Sequence, residues 1–136
     1  RLNMRYLLDS NAIITWFNGR NRALVERLKA HDGEFGTSTI VIFELYFGAF
    51  NSSRVADNID RLTNLKMPVL EFGEADAQAA GEVRAALKKA GTPIGPYDLL
   101  IAGQAKARGL VMVTNNVTEF SRVEGLVVED WTALAA

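Results

Sequence analysis

At 136 residues, with 49% apolar and 23% charged side chains, the chain is long enough for one buried core and ordinary for a water-soluble domain. Its net charge of −1 excludes a generic polyanion binder, and the absence of cysteine excludes disulfides, thiolate metal sites and a Cys nucleophile. The one histidine, His31 in LKAHDG, reads as the polar end of a helix, so paired-His and triad chemistry drop out and any reaction must run on carboxylates and hard metals.

In chain order, RYLL is a short apolar strand halted by Asp9, and SNAIITWFN a helix capped by Asp9 or Ser10 and ended near Gly19. NRALVERLKAH is an amphipathic helix, EFGTS a second strand, and Ser38 or Thr39 can cap the apolar helix TIVIFELYFGAF. SSRVADNIDRLTNLK is a helix capped by Ser52 or Ser53, and MPVLEF a third strand with Pro68 at its start or edge. EADAQAAGEVRAALKKAG is a long helix with a stripe of Ala, Val83 and Leu87. TPIGPYD is a rigid turn into the helix YDLLIAGQAKARG, with Pro96 near its first turn. LVMVT and GLVVEDW close the set as strands, with a short helix possible after Asp130.

No apolar run approaches ~18 residues, so no segment is expected to span a membrane, and RLNM is no secretory signal; a cytoplasmic location is expected. Residues 4–136 are read as one domain, with Met4 the start and Arg1 to Asn3 a cloning or start-site remnant. Strands alternating with helices predict an α/β fold, a mainly parallel sheet covered on both faces. In such sheets ligands sit beyond the carboxyl ends of the strands.

That rule sorts the sixteen acids. Glu26, Asp57, Asp60 and Glu82 fall on solvated helix faces. Asp9 ends the first strand, Glu44 lies about one turn into the apolar helix, Asp98 opens a helix in GPYDLLIA, and Glu119 follows the VMVT strand. Each has a structural reading: Asp9 as a cap, Asp98 as a first-turn acid, Glu44 as a buried partner of Arg54 or Arg84. A helix apolar all round is buried on several sides, which puts core on one face of TIVIFELYFGAF and a partner on another. Glu44 is therefore expected in a low-dielectric place near Asp9 and Asp98, where clustered carboxylates need a proton or a cation. With only oxygen ligands on offer, the cation is Mg²⁺ or Mn²⁺, held by Asp9, Glu44 and Asp98. Ser10, Asn11, Thr114, Asn115 and Asn116 are polar groups suited to support it from behind. Such a site suits phosphodiester hydrolysis. Arg20, Arg22, Lys88, Lys89 and Arg122 could meet an RNA strand, although lysines at a helix end are also favoured by the helix dipole. Tyr46, Phe47, Phe50, Val55 and Ile59 offer spare apolar surface for a partner helix or a second protomer, or for ordinary core packing.

YLLDSNAI, STIVIFELYFGA, PIGPYDLLIAGQA and LVMVTNNVTEFSRVEGL resemble, in order, the four motif regions of VapC-type toxins, which are PIN-domain ribonucleases encoded with a VapB antitoxin. The resemblance runs from Met4 over essentially the whole chain. It implies a three-layer α/β/α fold and a Mg²⁺- or Mn²⁺-dependent endoribonuclease, with catalytic and metal-holding acids at Asp9, Glu44 and Asp98. Asn116 stands where many PIN domains have Asp, and Glu119 three residues later becomes a supporting or second-metal residue. The resemblance also implies cleavage of RNA, commonly tRNA, inhibition by a VapB-type antitoxin, homodimerisation, and promoter DNA binding through the antitoxin. A receiver domain would want an acidic pair after the first strand, and a haloacid-dehalogenase-like phosphatase a second Asp where Asn11 stands. The remaining alternative is a catalytically weak PIN-like module that binds RNA or a partner without cutting.

Overall fold

Tyr6, Leu7 and Leu8 are buried in succession, which a strand achieves only at the centre of a sheet covered on both faces. The computed structural model, which describes residues 3–133, places them there as β1 (Tyr6–Leu8). There follow α1 (Ser10–Asn18), α2 (Arg22–Ala30), β2 (Phe35–Ser38), α3 (Thr39–Phe50), α4 (Val55–Thr63), β3 (Val69–Leu70) and α5 (Glu74–Ala90). Next come α6 (Pro96–Ala107), β4 (Val111–Val113), α7 (Val117–Phe120) and β5 (Val128–Glu129).

The sheet is parallel throughout, in the order β3-β2-β1-β4-β5. Leu7 pairs with Gly36 on one side and Met112 on the other. The chain builds outward from β1 in one direction, then crosses back to build in the other. Right-handed crossovers in opposite directions set helices on both faces, giving the expected three layers. The order reverses between β1 and β4, and that switch point is where an open parallel sheet leaves a crevice.

Small residues set the layer spacing on the far side. A Cβ on Gly103 of α6 would lie 2.5 Å from the Ala80 Cα of α5, so only glycine permits this approach. Ala80, Val83 and Leu87 are the buried stripe of α5, as the sequence predicts, but Asp76 joins them at 2% exposure. Its carboxylate accepts from Arg108 Nε at 3.1 Å and Nη2 at 2.9 Å, and from the Gly73 N–H at 2.8 Å. Arg108 also reaches the Glu71 carbonyl at 2.8 Å, clamping the end of α6 to the start of α5.

Three local expectations change. Neither Ser52 nor Ser53 caps α4, which begins at Val55 without a side-chain cap. Ser52 Oγ instead donates to the Ala49 carbonyl at 2.6 Å and accepts from Asn58 Nδ2 at 2.9 Å, stapling the end of α3 to α4. The third strand shrinks to two residues, with Pro68 giving its carbonyl to Thr37 N–H at 3.0 Å. Finally, α3 is not buried all round. Val41, Leu45 and Ala49 face the core, while Phe43, Phe47 and Phe50 are 51%, 64% and 65% exposed. His31 does end α2, packed against Tyr6 and Trp131. After β5, residues 131–133 form bends; the rest of the expected C-terminal helix, like Arg1 and Leu2, lies outside the described residues.

Candidate active site

Each acid of interest is placed by a strand exit or a helix start. Asp9 leaves β1 at the switch point and is the N-cap of α1, accepting from the Ala12 N–H at 2.9 Å. It is buried, and burial raises its carboxyl above the usual range. The Thr114 hydroxyl and the Ala12 N–H pull the other way, while the charges of Glu44 and Asp130 add to the rise. The cap reading and the site reading of Asp9 are thus compatible, because the Ala12 N–H engages only its Oδ1.

Ser38 caps α3 by accepting from the Ile40 N–H at 3.1 Å, and this fixes where the first turns of that helix point. Glu44 then comes to Ser10, whose Oγ donates to its Oε1 at 3.1 Å. Glu44 is half-buried, not enclosed in the apolar interior expected from its neighbours. No arginine among the described residues pairs with it: Arg54 bonds Asp57, and Arg84 makes no ion pair there.

Pro96 starts α6, and Asp98 lies in its first turn. Burial is the main force raising the Asp98 carboxyl, to about 6, with the charges of Glu119, Asp9 and Glu44 adding to it. Those three partners define the cluster electrostatically. Glu119 is held differently. Its Oε1 accepts from the Gly95 N–H at 2.6 Å and its Oε2 from Asn116 Nδ2 at 2.9 Å, which keep it below the usual carboxylate range. Gly95 sits between the two acids: a Cβ there would stand 3.5 Å from Glu119 Oε1 and 3.6 Å from Asp98 Oδ2.

Asn116 therefore orients Glu119, and its own N–H donates to Thr114 Oγ1 at 2.9 Å. Thr114, Asn116 and Ser10 each touch an acid or its support, whereas Asn11 and Asn115 are exposed and engaged in no side-chain hydrogen bond among the described residues. Arg20 stands past the far end of α1, roughly 15 Å along the helix from Asp9 at 1.5 Å per residue. Arg22 is exposed at the start of α2. Lys88 and Lys89 are exposed in the last turn of α5, and Arg122 donates to the Pro93 carbonyl at 2.9 Å. One acid is absent from the expected set. Asp130 follows β5 and bears on Asp9, and the strand-exit rule applied to GLVVEDW would have found it.

The donors are carboxylate, hydroxyl and amide oxygens, which suit a hard divalent ion. The charge balance fits one too, since burial, joined by the charges of Glu119, Asp9 and Glu44, drives Asp98 toward protonation, and no cation among the described residues draws it back. The spacing is open: among the described residues, no three of these groups stand close enough to grip one ion as they are.

A parallel α/β sheet with carboxylates gathered at its switch point defines the class, and a family model described as PIN domain matches residues 6–126. The chain is 36% identical over 131 residues to the tRNA(fMet)-specific endonuclease VapC of Shigella flexneri, covering 95% of this chain and 99% of that one. It is 33% identical over 130 residues to ribonuclease VapC2 of Haemophilus influenzae, covering 94% and 98%. The structure of DNA-bound VapBC from Salmonella typhimurium matches with a TM-score of 0.90 at 36% identity, over 94% of this chain and 98% of that one. VapBC-1 from nontypeable Haemophilus influenzae matches with a TM-score of 0.87 at 35% identity, over 96% and 100%. This chain belongs to the PIN-domain family, among its VapC-type members.

Proposed function

We propose that the chain is the toxin of a type II toxin–antitoxin pair, an endoribonuclease that uses Asp9, Glu44 and Asp98 with Mg²⁺ or Mn²⁺ to cut RNA. The observation that carries the reading is the convergence of these acids with Glu119 at the switch crevice, where burial and the neighbouring carboxylates push Asp98 up to about 6. A divalent ion bound there would supply charge for the phosphoryl oxygens and activate a water.

The chain's own groups divide the remaining work. Asp9, fixed by the Ala12 N–H and the Thr114 hydroxyl, presents one rigid ligand oxygen. Glu44, steered by Ser10, presents a second from the opposite helix. Asp98 is set by the first turn of α6. Glu119 stays ionised because Gly95 and Asn116 hold it, and acts as a fixed negative charge beside Asp98. Lys88, Lys89 and Arg20 are the candidate RNA contacts.

Transfer RNA is the proposed substrate class, supported by the tRNA(fMet)-specific relative, and a VapB-type antitoxin is the proposed inhibitor, supported by the VapBC structures. A groove between α1, α3 and α4, lined by Ile14, Phe17, Leu45 and Leu62, opens beside Glu44 and is the proposed seat of an antitoxin segment. The bare Phe43–Phe47–Phe50 face of α3 is offered to a second protomer, and promoter DNA is reached through the antitoxin. No helix among the described residues is long and apolar enough to cross a membrane, and we place the protein with its RNA in the cytoplasm.

Purified free of any antitoxin, the protein is expected to cut RNA with Mg²⁺ or Mn²⁺, to stop on addition of EDTA, and to recover when the ion is restored in excess. Asp9→Asn should fold with an unchanged circular dichroism spectrum and leave RNA intact. RNA binding without cleavage at any ion concentration would instead favour the non-enzymatic module.

A further inference from the structure

A second groove, of about 620 Å³, runs between α5 and α6 and begins at the first turn of α6, two residues from Asp98. Its volume lies within the range of ordinary ligand clefts, roughly 300–1,000 Å³. Leu87, Ile94, Leu99 and Leu100 form an apolar floor, and Pro93 and Pro96 stiffen one wall. That wall is pinned from behind: Arg122 bonds the Pro93 carbonyl and Glu119 the Gly95 N–H. The groove is therefore preformed, and the 93–96 segment that walls it also supplies the Gly95 N–H that holds Glu119 of the acid cluster.

Its only charges are positive. Arg84 and Lys88 line it, no acid does, and neither cation makes an ion pair or side-chain hydrogen bond among the described residues. The two are four residues apart on α5, so they rise from the same face. Helix-end electrostatics accounts for Lys88 but not for Arg84, which lies more than a turn inside the helix, where the dipole effect has faded. An apolar floor able to cover base faces, beside unpaired cations that can meet phosphates, suits a single-stranded nucleic acid, and the Arg84 guanidinium can also stack on a base.

We propose that this α5–α6 groove holds the single-stranded RNA segment adjoining the scissile phosphodiester, with Arg84 and Lys88 on its phosphates and the bases against the leucine floor. The proposal rests on the reading of the chain as an RNA-cutting enzyme and adds where the strand runs. It also explains how an acidic site on a chain of net charge −1 holds a polyanion, since attraction comes from the groove and not from the mouth.

The test measures binding of a labelled single-stranded oligoribonucleotide to the uncut Asp98→Asn protein, with and without Arg84→Ala and Lys88→Ala together, across a salt series in Mg²⁺. Losing two phosphate contacts should flatten the slope of log affinity against log salt by about 1.4, which is about a 25-fold loss at 0.1 M salt. An abasic oligomer of the same length should bind the Arg84- and Lys88-bearing protein more weakly, with its salt slope unchanged. If that protein binds RNA and the Arg84→Ala, Lys88→Ala variant keeps its affinity and slope, the groove proposal falls while the enzymatic reading stands. If the double variant changes the sedimentation mass and leaves RNA affinity alone, the groove belongs to a second copy of the chain and the proposal is overturned. If the groove-intact protein binds no RNA at all, both readings fall.

Discussion

Asp98→Asn is expected to abolish RNA cleavage and at the same time to make the metal-free chain more stable at pH 7. The loss of cleavage should exceed about 100-fold, because even the partners that merely orient metal ligands cost about 10–100-fold when removed. The gain in stability follows from the position of its carboxyl. The folded value of about 6 lies above the ordinary value of 3.8, so between these pH values the folded chain holds a proton that the unfolded chain has released. The contribution of Asp98 to stability therefore falls as pH rises through this window and stays low above it. Asparagine is neutral throughout and escapes the penalty. For a half-buried carboxylate partly screened by water, the gain at pH 7 is ~1–2 kcal/mol. Urea unfolding in EDTA should show the two proteins alike near pH 4 and separated at pH 7. Saturating Mn²⁺ should then stabilise the unsubstituted chain, by ~2.7 kcal/mol at a hundredfold excess over its dissociation constant, and leave the variant nearly unmoved. An Asp98→Asn protein less stable than its parent at pH 7 without metal would mean that the carboxylate is structurally satisfied as it stands.

Arg108→Ala should destabilise the chain by ~3 kcal/mol or more, the range for stripping the partner from a buried charge. Asp76 is 2% exposed, and its two oxygens are held by a bidentate guanidinium that also caps the Glu71 carbonyl. Without Arg108, the Gly73 N–H and the more distant Gln104 amide, at 3.4 Å, are what remain. The hydrogen bonds from Arg108 hold the Asp76 carboxyl below its usual range, so the pair's contribution is present at neutral pH and is lost as pH falls through the folded value. Denaturant unfolding at pH 7 should show a lower midpoint with the slope unchanged. A loss under about 1 kcal/mol would show that water or Gln104 replaces the guanidinium. Because the clamp fixes α6 on α5, the same variant should also blunt whatever depends on the placement of Asp98.

The element order, the parallel sheet and the strand-exit rule were legible because they depend on local pattern and on chain connectivity. YLLD and LVMVT announce central strands by unbroken apolar runs, and the acids that follow them fall at the crevice wherever such strands are parallel. The bare face of α3 was only half legible. Composition shows that the helix has no polar side, but which of its apolar residues meet the core depends on packing with α4 and α6. Asp76 and Arg108 were illegible for a similar reason, being 32 residues apart and looking like an ordinary first-turn acid and an ordinary helix-end base. The part played by Asn116 was legible as a question and needed coordinates for its answer, since it turns on which carboxylate oxygen its amide reaches.

The most direct test of the account is calorimetric titration of Mn²⁺ into the free protein and into Asp9→Asn. If the carboxylates at the switch point hold the catalytic ion, the free protein binds Mn²⁺ with heat that disappears in Asp9→Asn, and RNA cleavage rises over the same range of ion concentration. Equal Mn²⁺ binding by both proteins, or cleavage that is complete with no bound ion, would contradict it.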